Sequence, residues 1–475
     1  MAAKASEKKT DDKKKETKKE NAWLTYSDAT RKKLEKLTTD YKAFISKCKT
    51  ERECVAESVA ILEANGYADL KDCIAKNKKL KAGDKVYYNN MGKALAAFII
   101  GKKPLEDGMV ILGAHVDSPR LDLKQVPVYE DTEQVLLDTH YYGGVKKYQW
   151  VTIPLALHGV ICKKDGSIVN VNIGDDENDP VFEITDLLIH LSAAQMEKSA
   201  AKVIEGEALN VLVGSEPLKG EDKEAVKANV LKLLKDKYGV EAEDFLSAEI
   251  EVVPAGKARD LGFDRSMITG YGHDDRVCAY TSLVAMLEVD KTDRTAACLL
   301  VDKEEIGSVG ATGMQSLFFE NAVAELVNLT GTYSELKVRR ALANSVMLSS
   351  DVSAAFDPNF PEVFERKNTA YFGKGIVYNK YTGSRGKSGS NDANAEYVAK
   401  IRAAMEKHKV AFQTAELGKV DVGGGGTIAY IMAKYNMQVI DAGVAVLCMH
   451  APWEIVSKSD VWEAKQAYVA FLKEM

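Results

Sequence analysis

The chain has 475 residues, 46% hydrophobic and 28% charged, with a formal net charge of −6. That length exceeds one ordinary core and predicts two domains, while the balance of charge and apolar content is that of a soluble globular protein and excludes a broadly basic nucleic-acid binder. The longest apolar stretches, Ala94–Ile100 and Ala442–Met449, fall well short of the ~18–20 residues of a membrane span, so no membrane partner is expected.

Residues 1–20 hold eight lysines and five acidic residues with no apolar run, which is not a secretory signal. Residues 1–22 therefore read as a disordered, lysine-rich tail. Tyr26–Asn65 reads as helix, because Leu34, Leu37, Tyr41 and Phe44, then Val55, Val59 and Leu62, recur at helical spacing. Tyr87–Asn90, Ala94–Ile100 and Met109–Leu112 read as strands, and the last runs into Gly113–Lys124 (GAHVDSPRLDLK).

From Gln125 to Pro254 the pattern turns β-rich. Strands are predicted at Val135–Leu137, Trp150–Ile153, Leu155–Ile161, Ile168–Ile173 and Glu249–Val253, with helices near Glu183–Lys198 and Lys223–Tyr238. This stretch, 125–254, carries no obvious ligand cluster and reads as an insertion with a structural or assembly role. It divides a discontinuous main domain, 23–124 plus 255–475. Beyond Gly256, apolar strands alternate with helices at Val277–Leu287, Gly313–Leu326, Asp392–Lys409 and Trp462–Lys473, the pattern of an α/β sheet. The Gly-rich loops Lys380–Asn391 and Asp421–Thr427 lack the strand–helix frame of nucleotide-binding loops. The seven cysteines, at 48, 54, 73, 162, 278, 298 and 448, are scattered and show no CxxC pair. Several fall within apolar strands, which suits reduced thiols and a cytoplasmic location.

The most informative feature is the pair Glu304–Glu305, set between the apolar run Cys298–Val301 and Gly307, Gly310 and Gly313. Most such pairs are exposed acidic turns. Burying two adjacent carboxyls requires a cation between them or a proton on one. Four apolar runs end in ligand-type residues. Val110–Leu112 leads to His115 and Asp117, Cys298–Val301 to the glutamate pair, Val346–Leu348 to Asp351, and Val444–Leu447 to His450. Asp274, in GYGHDDRVCAY, precedes a helix and could approach from the side. Each placement alone has an ordinary explanation, a loop histidine or a helix N-cap. Together they supply two histidines and three carboxylates at the strand ends where α/β sheets gather ligands.

That inventory fits two zinc ions roughly 3.5–4 Å apart, bridged by one carboxylate. With Asp274 shared, His115 and Asp351 complete one set and His450 and Glu305 the other. Asp117 follows His115 at i+2, on the same strand face, where it can orient the imidazole. Glu304 is left free to accept a proton. Cobalt or manganese could use the same donors.

The runs GAHVDSPRLDLK, GHDDR, DKEEIGSVGATG, SSDVSAAFDP and CMHAPWE resemble, in order and spacing, the aspartyl aminopeptidase and vacuolar aminopeptidase I family of dinuclear zinc exopeptidases. The resemblance runs from about residue 24 onward and includes YYGGVKKYQW and ITDLLIHL in the insertion. It implies an αβα sandwich of the co-catalytic zinc exopeptidase type with an inserted β-rich dimerisation domain, assembled as a homododecamer. It implies removal of single N-terminal residues from peptides with a free N-terminus. Glu304 would be the general base and Asp117 the orienting partner. His115, Asp274 and Asp351 would hold one zinc, and Asp274, Glu305 and His450 the other. It further implies that His190 enters a neighbouring subunit's active site, that Lys374 lies near the substrate, and that Gly425 and Gly426 bring backbone close to the peptide. The bridging motif reads GHDDR rather than the GRLDN of acid-specific members. A carboxypeptidase or deacylase on the same scaffold is the main rival reading; the HExxH of a mononuclear zincin is absent.

Overall fold

The computed structural model describes residues 20–475, so the tail expected over 1–22 lies outside the described residues as far as Lys19. The predicted helix Tyr26–Asn65 is two helices, Asp28–Lys47 and Glu51–Ala64. The break has a local cause: Thr50 and Glu53 form a reciprocal capping box that restarts the helix. Strands β1 (Ala68–Asp69), β2 (Lys85–Asn90), β3 (Ala94–Ile99) and β4 (Met109–His115) follow. Next come β5 (Arg120–Asp131), β6 (Gln134–Tyr142), β7 (Leu155–Cys162), β8 (Ile168–Ile173), β9 (Val211–Gly214) and β10 (Ala248–Pro254). The short strands β11 (Arg259–Leu261) and β12 (Met267–Gly270) lead into the helix His273–Leu287. Then come β13 (Thr295–Val301), β14 (Val346–Ser349), β15 (Ser353–Ala354), β16 (Ile376–Asn379), β17 (Phe412–Thr414), β18 (Gln438–Gly443), β19 (Ala445–Leu447) and β20 (Glu454–Ser457).

These strands make three sheets. The nine-stranded sheet has the order β1-β2-β3-β13-β4-β14-β18-β16-β17. Its centre, β13-β4-β14-β18, is parallel throughout, so the carboxyl ends of these four strands share one edge. Both faces are covered. Val110, Leu112 and Ala114 of β4 pack into one core with the helices Asp28–Lys47, His273–Leu287 and Lys458–Glu474. Met109 and Ile111 pack into a second core with the helix Phe318–Thr330. Full burial on both faces explains the uninterrupted apolar runs. Each fully buried Leu or Val side chain contributes about 1.5–3 kcal/mol.

The six-stranded sheet, β8-β7-β10-β5-β6-β9, takes in Arg120–Pro254 and encloses a separate core. Strand β5 crosses the expected division at 124/125 without interruption. The third sheet, β11-β12-β20-β19-β15, lies beside the site-bearing edge.

Three further element predictions differ from the structure. Trp150–Ile153 is not a strand; Trp150 is fully buried, edge-on to Tyr271, and Thr152 takes a left-handed φ of 57°. Glu183–Lys198 is not one helix but irregular chain with two short helical turns, Ile189–Leu191 and Ala193–Met196. Its apolar residues Leu188, Ile189, Leu191 and Met196 are exposed, so no buried face stabilises a helix there. The helix expected from Gly313 begins at Phe318, because Gly313 sits in a tight turn where a Cβ would lie 2.3 Å from the Ser308 carbonyl oxygen.

Candidate metal centre

The parallel edge brings the chemistry together. His115 is the last residue of β4, the Glu304–Ile306 turn follows β13, and Asp351 follows β14. Asp274 lies at the start of the helix His273–Leu287, held by Ser118 Oγ donating to its carbonyl oxygen at 2.7 Å. His450 follows β19 with a left-handed φ of 67°, an uncommon conformation for a residue with a side chain.

Asp274 is the centre of the arrangement. Its Oδ1 lies 3.1 Å from His115 Nε2, and its Oδ2 lies 3.2 Å from His450 Nε2. Glu305 Oε2 stands 3.5 Å from His450 Nε2. Two triads, His115–Asp274–Asp351 and Asp274–Glu305–His450, each offer three donor atoms within 4.8 Å of one another. A third grouping, His115–Glu304–Glu305, meets the same limit. Asp274 Oδ1 and Glu305 Oε1 are buried without a hydrogen-bond partner. Orphaned carboxylate oxygens facing histidine nitrogens, all at hard-to-borderline donors, suit a divalent cation such as zinc.

Electrostatics lead to the same conclusion. Burial works to raise every carboxyl here. At Asp274 the neighbouring His115 and His450 override it and hold the group below the usual carboxylate range. Burial pushes Glu304 up to about 7, and pushes Glu305 and Asp351 well above their ordinary values, with nearby carboxylates adding to the effect. Acidic groups crowded in this way either hold protons or take up positive charge, as a bound divalent cation would supply.

A further layer holds the donors in place. Asp117 is fully buried and receives Glu304 N–H on Oδ1 at 3.1 Å and Glu305 N–H on Oδ2 at 3.2 Å. Its Oδ1 is 3.4 Å from His115 Nδ1, whose closer partner is the Asp117 carbonyl oxygen at 3.0 Å. Asp117 therefore ties the glutamate turn to the β4 terminus. Three contributors went unrecognised in the sequence. Glu454 accepts from His450 N–H at 2.7 Å and from Asp274 N–H at 2.9 Å, bridging two donors. Tyr142, the last residue of β6, donates to Asp117 Oδ2 at 2.9 Å. The Gly144 carbonyl oxygen lies 3.0 Å from His450 Nδ1. Glu454 and Tyr142 stand inside the motifs CMHAPWE and YYGGV, but these bonds run to backbone groups and across sheets, and spacing does not reveal them.

The donors open into a cavity of about 730 Å³. Its walls include Asn379, Leu417, Tyr430 and Met449 together with Gly425 and Gly426. Lys374 is not among the lining residues. It sits between Gly373 and Gly375, whose amides donate to Asp460 at 2.9 Å each. His190 is exposed in the turn Ile189–Leu191 and does not line its own chain's cavity.

The family model for aminopeptidase I zinc metalloprotease (M18) matches residues 44–472. The chain is a member of the M18 aminopeptidase family. It is 64% identical over 453 residues to the probable M18 family aminopeptidase 1 of Clostridium acetobutylicum, spanning 95% of this chain and 97% of that one. The crystal structure of an M18 aminopeptidase from Thermotoga maritima superposes with a TM-score of 0.92 at 43% identity, covering 96% of this chain and 99% of that one. The S. cerevisiae mApe1 dodecamer shares the fold, with a TM-score of 0.74 at 21% identity over 92% of this chain and 97% of that chain. This M18 chain is thus an aminopeptidase of the zinc metalloprotease type. No helix among the described residues is long and apolar enough to cross a membrane. All seven cysteines lie among those residues and are free thiols.

Proposed function

We propose that this M18 enzyme removes single N-terminal residues from peptides at a two-zinc centre. His115, Asp274 and Asp351 hold one ion, and Asp274, Glu305 and His450 hold the other. The observation that carries this reading is the placement of Asp274, whose two carboxylate oxygens face different histidines at 3.1 and 3.2 Å. A zinc ion held there would supply Lewis-acid polarisation of the scissile carbonyl and would lower the pKa of bound water to about 7. Glu304 belongs to neither set. It takes the proton of the attacking water and returns it to the leaving amine. Asp117 keeps the Glu304 backbone and the His115 ring in register. Gly425 and Gly426 leave room for the peptide backbone along the cavity wall. Cobalt or manganese can occupy the same donors.

The segment 125–254 serves, on this reading, as an inserted dimerisation domain on an αβα sandwich, and dimers build a homododecamer in the cytoplasm. The exposed Leu188, Ile189, Leu191 and Met196 support an interface there, and the fold match to a dodecamer agrees. His190, at the tip of that apolar segment, reaches into a neighbour's cavity. Metal analysis of the purified protein should give two zinc ions per chain; a maximum of one, at saturating zinc, refutes the dinuclear assignment.

A further inference from the structure

The six-stranded sheet has a second connection to the chemistry, within the same chain. Its strand β6 ends at Tyr142, and the next two residues are Gly143 and Gly144. This tip touches both halves of the centre. Tyr142 donates to Asp117 at 2.9 Å, and the Gly144 carbonyl oxygen stands 3.0 Å from His450 Nδ1. Between them Gly143, at φ 74°, leaves no room for a side chain without crowding Glu305, whose Cβ would lie 3.2 Å away.

Tyr142 is itself fixed. The Arg120 guanidinium lies 3.8 Å from the centre of its ring. Arg120 is buried and held in turn by Asp122 at 2.7 Å, Glu251 at 3.2 Å and Glu51 at 3.6 Å. A cation on the ring face draws electron density from the phenol and strengthens the hydroxyl as a donor. Glu51 begins the helix Glu51–Ala64, whose Cys54, Val55 and Leu62 pack into the main core, so the Arg120 anchor ties the six-stranded sheet to that core.

We propose that Tyr142 is a positioning residue of the peptidase reaction: its hydroxyl fixes Asp117, and through Asp117 it sets His115 and the Glu304–Glu305 turn together. The inference rests on the two-zinc aminopeptidase reading. It gives the inserted sheet a role within its own subunit, apart from assembly. The hydroxyl contributes one of four polar contacts around Asp117. Without it the carboxylate can rotate, and the imidazole and both glutamate amides follow.

The test is Tyr142→Phe, which keeps the ring beneath Arg120 and removes only the hydroxyl. The zinc dissociation constant of the metal-free protein would be measured by competition with a chromophoric chelator, alongside kcat and KM on a leucyl substrate. Loss of an outer partner of a metal-ligating histidine costs ~10–100-fold in metal affinity or activity. Zinc affinity and kcat should both fall by about 10-fold or more, with KM within about two-fold of the parent. On an Asp117→Asn background the same substitution should change zinc affinity by less than about two-fold, because its effect is routed through Asp117. Unchanged zinc affinity and kcat in Tyr142→Phe, or equal losses on both backgrounds, would overturn the proposal. A parent protein that binds no zinc and releases no product overturns the underlying peptidase reading instead.

Discussion

Glu454→Ala tests whether one buried carboxylate supports both halves of the centre. Glu454 is 1% exposed and accepts from His450 N–H and Asp274 N–H at 2.7 and 2.9 Å. Alanine leaves both buried amides without an acceptor, at about 1–3 kcal/mol each. His450 also holds a left-handed φ of 67°, a conformation that costs of order 1–3 kcal/mol and persists only where its surroundings impose it. With the clamp gone that strain can relax, which recovers part of the loss but moves the imidazole off its position. The net destabilisation is therefore about 1–5 kcal/mol, and zinc binding weakens on the His450 side. Thermal unfolding of the metal-free protein should show a midpoint lower by several degrees, at about 1–2 °C per kcal/mol for a chain of this size. Glu454→Gln, which keeps one acceptor oxygen, should fall between the two. A Glu454→Ala protein that unfolds with the parent and binds two zinc ions as tightly would refute the bridging role.

Glu304→Gln should lower turnover by about 10²–10⁴-fold while two zinc ions remain bound; retained activity removes Glu304 as general base. His190→Phe should reduce kcat while light scattering shows an unchanged assembly, and normal turnover would reduce His190 to an interface residue. Burial raises Asp460 to about 7 in the fold, against an ordinary value of 3.8, even though it accepts from Gly373 and Gly375. The folded state therefore holds a proton that the unfolded state releases. This contribution to stability is full below the ordinary carboxyl range and disappears as pH rises through about 7, with a slope of up to about 1.4 kcal/mol per unit. Relative to Asp460→Asn, the parent should lose stability between pH 5 and 7.5 in chemical denaturation of the metal-free protein; parallel curves would contradict this.

The centre was legible because three of the four apolar runs that lead to donors end at one parallel edge, and the fourth, in a neighbouring sheet, ends beside them. Strands β4, β13 and β14 are parallel and buried on both faces, so each shows as an unbroken apolar stretch, and the residue just past it must face the same crevice. No single placement carried the grouping; the coincidence of all five did, with Asp274 preceding a helix and His450 belonging to a different sheet. The supporting layer was not legible. Glu454, Tyr142 and Gly144 act through backbone amides, a carbonyl and a bond between sheets, none of which leaves a periodic trace. The segment Glu183–Lys198 misled for a related reason. Its apolar residues repeat at helical spacing, but Leu187, Leu188, Ile189, Leu191 and Met196 are exposed among the described residues. Lys374 followed a short aligned stretch only; its neighbours Gly373 and Gly375 donate to Asp460.

The most direct measurement is release of p-nitroaniline from leucyl, lysyl, aspartyl and glutamyl anilides, with zinc, cobalt or manganese supplied and a chelator control. Release from at least one substrate, abolished by the chelator and restored by metal, is the predicted result, and the ranking of substrates gives the side-chain preference. No release from any of them by protein carrying its full zinc complement would contradict the aminopeptidase account.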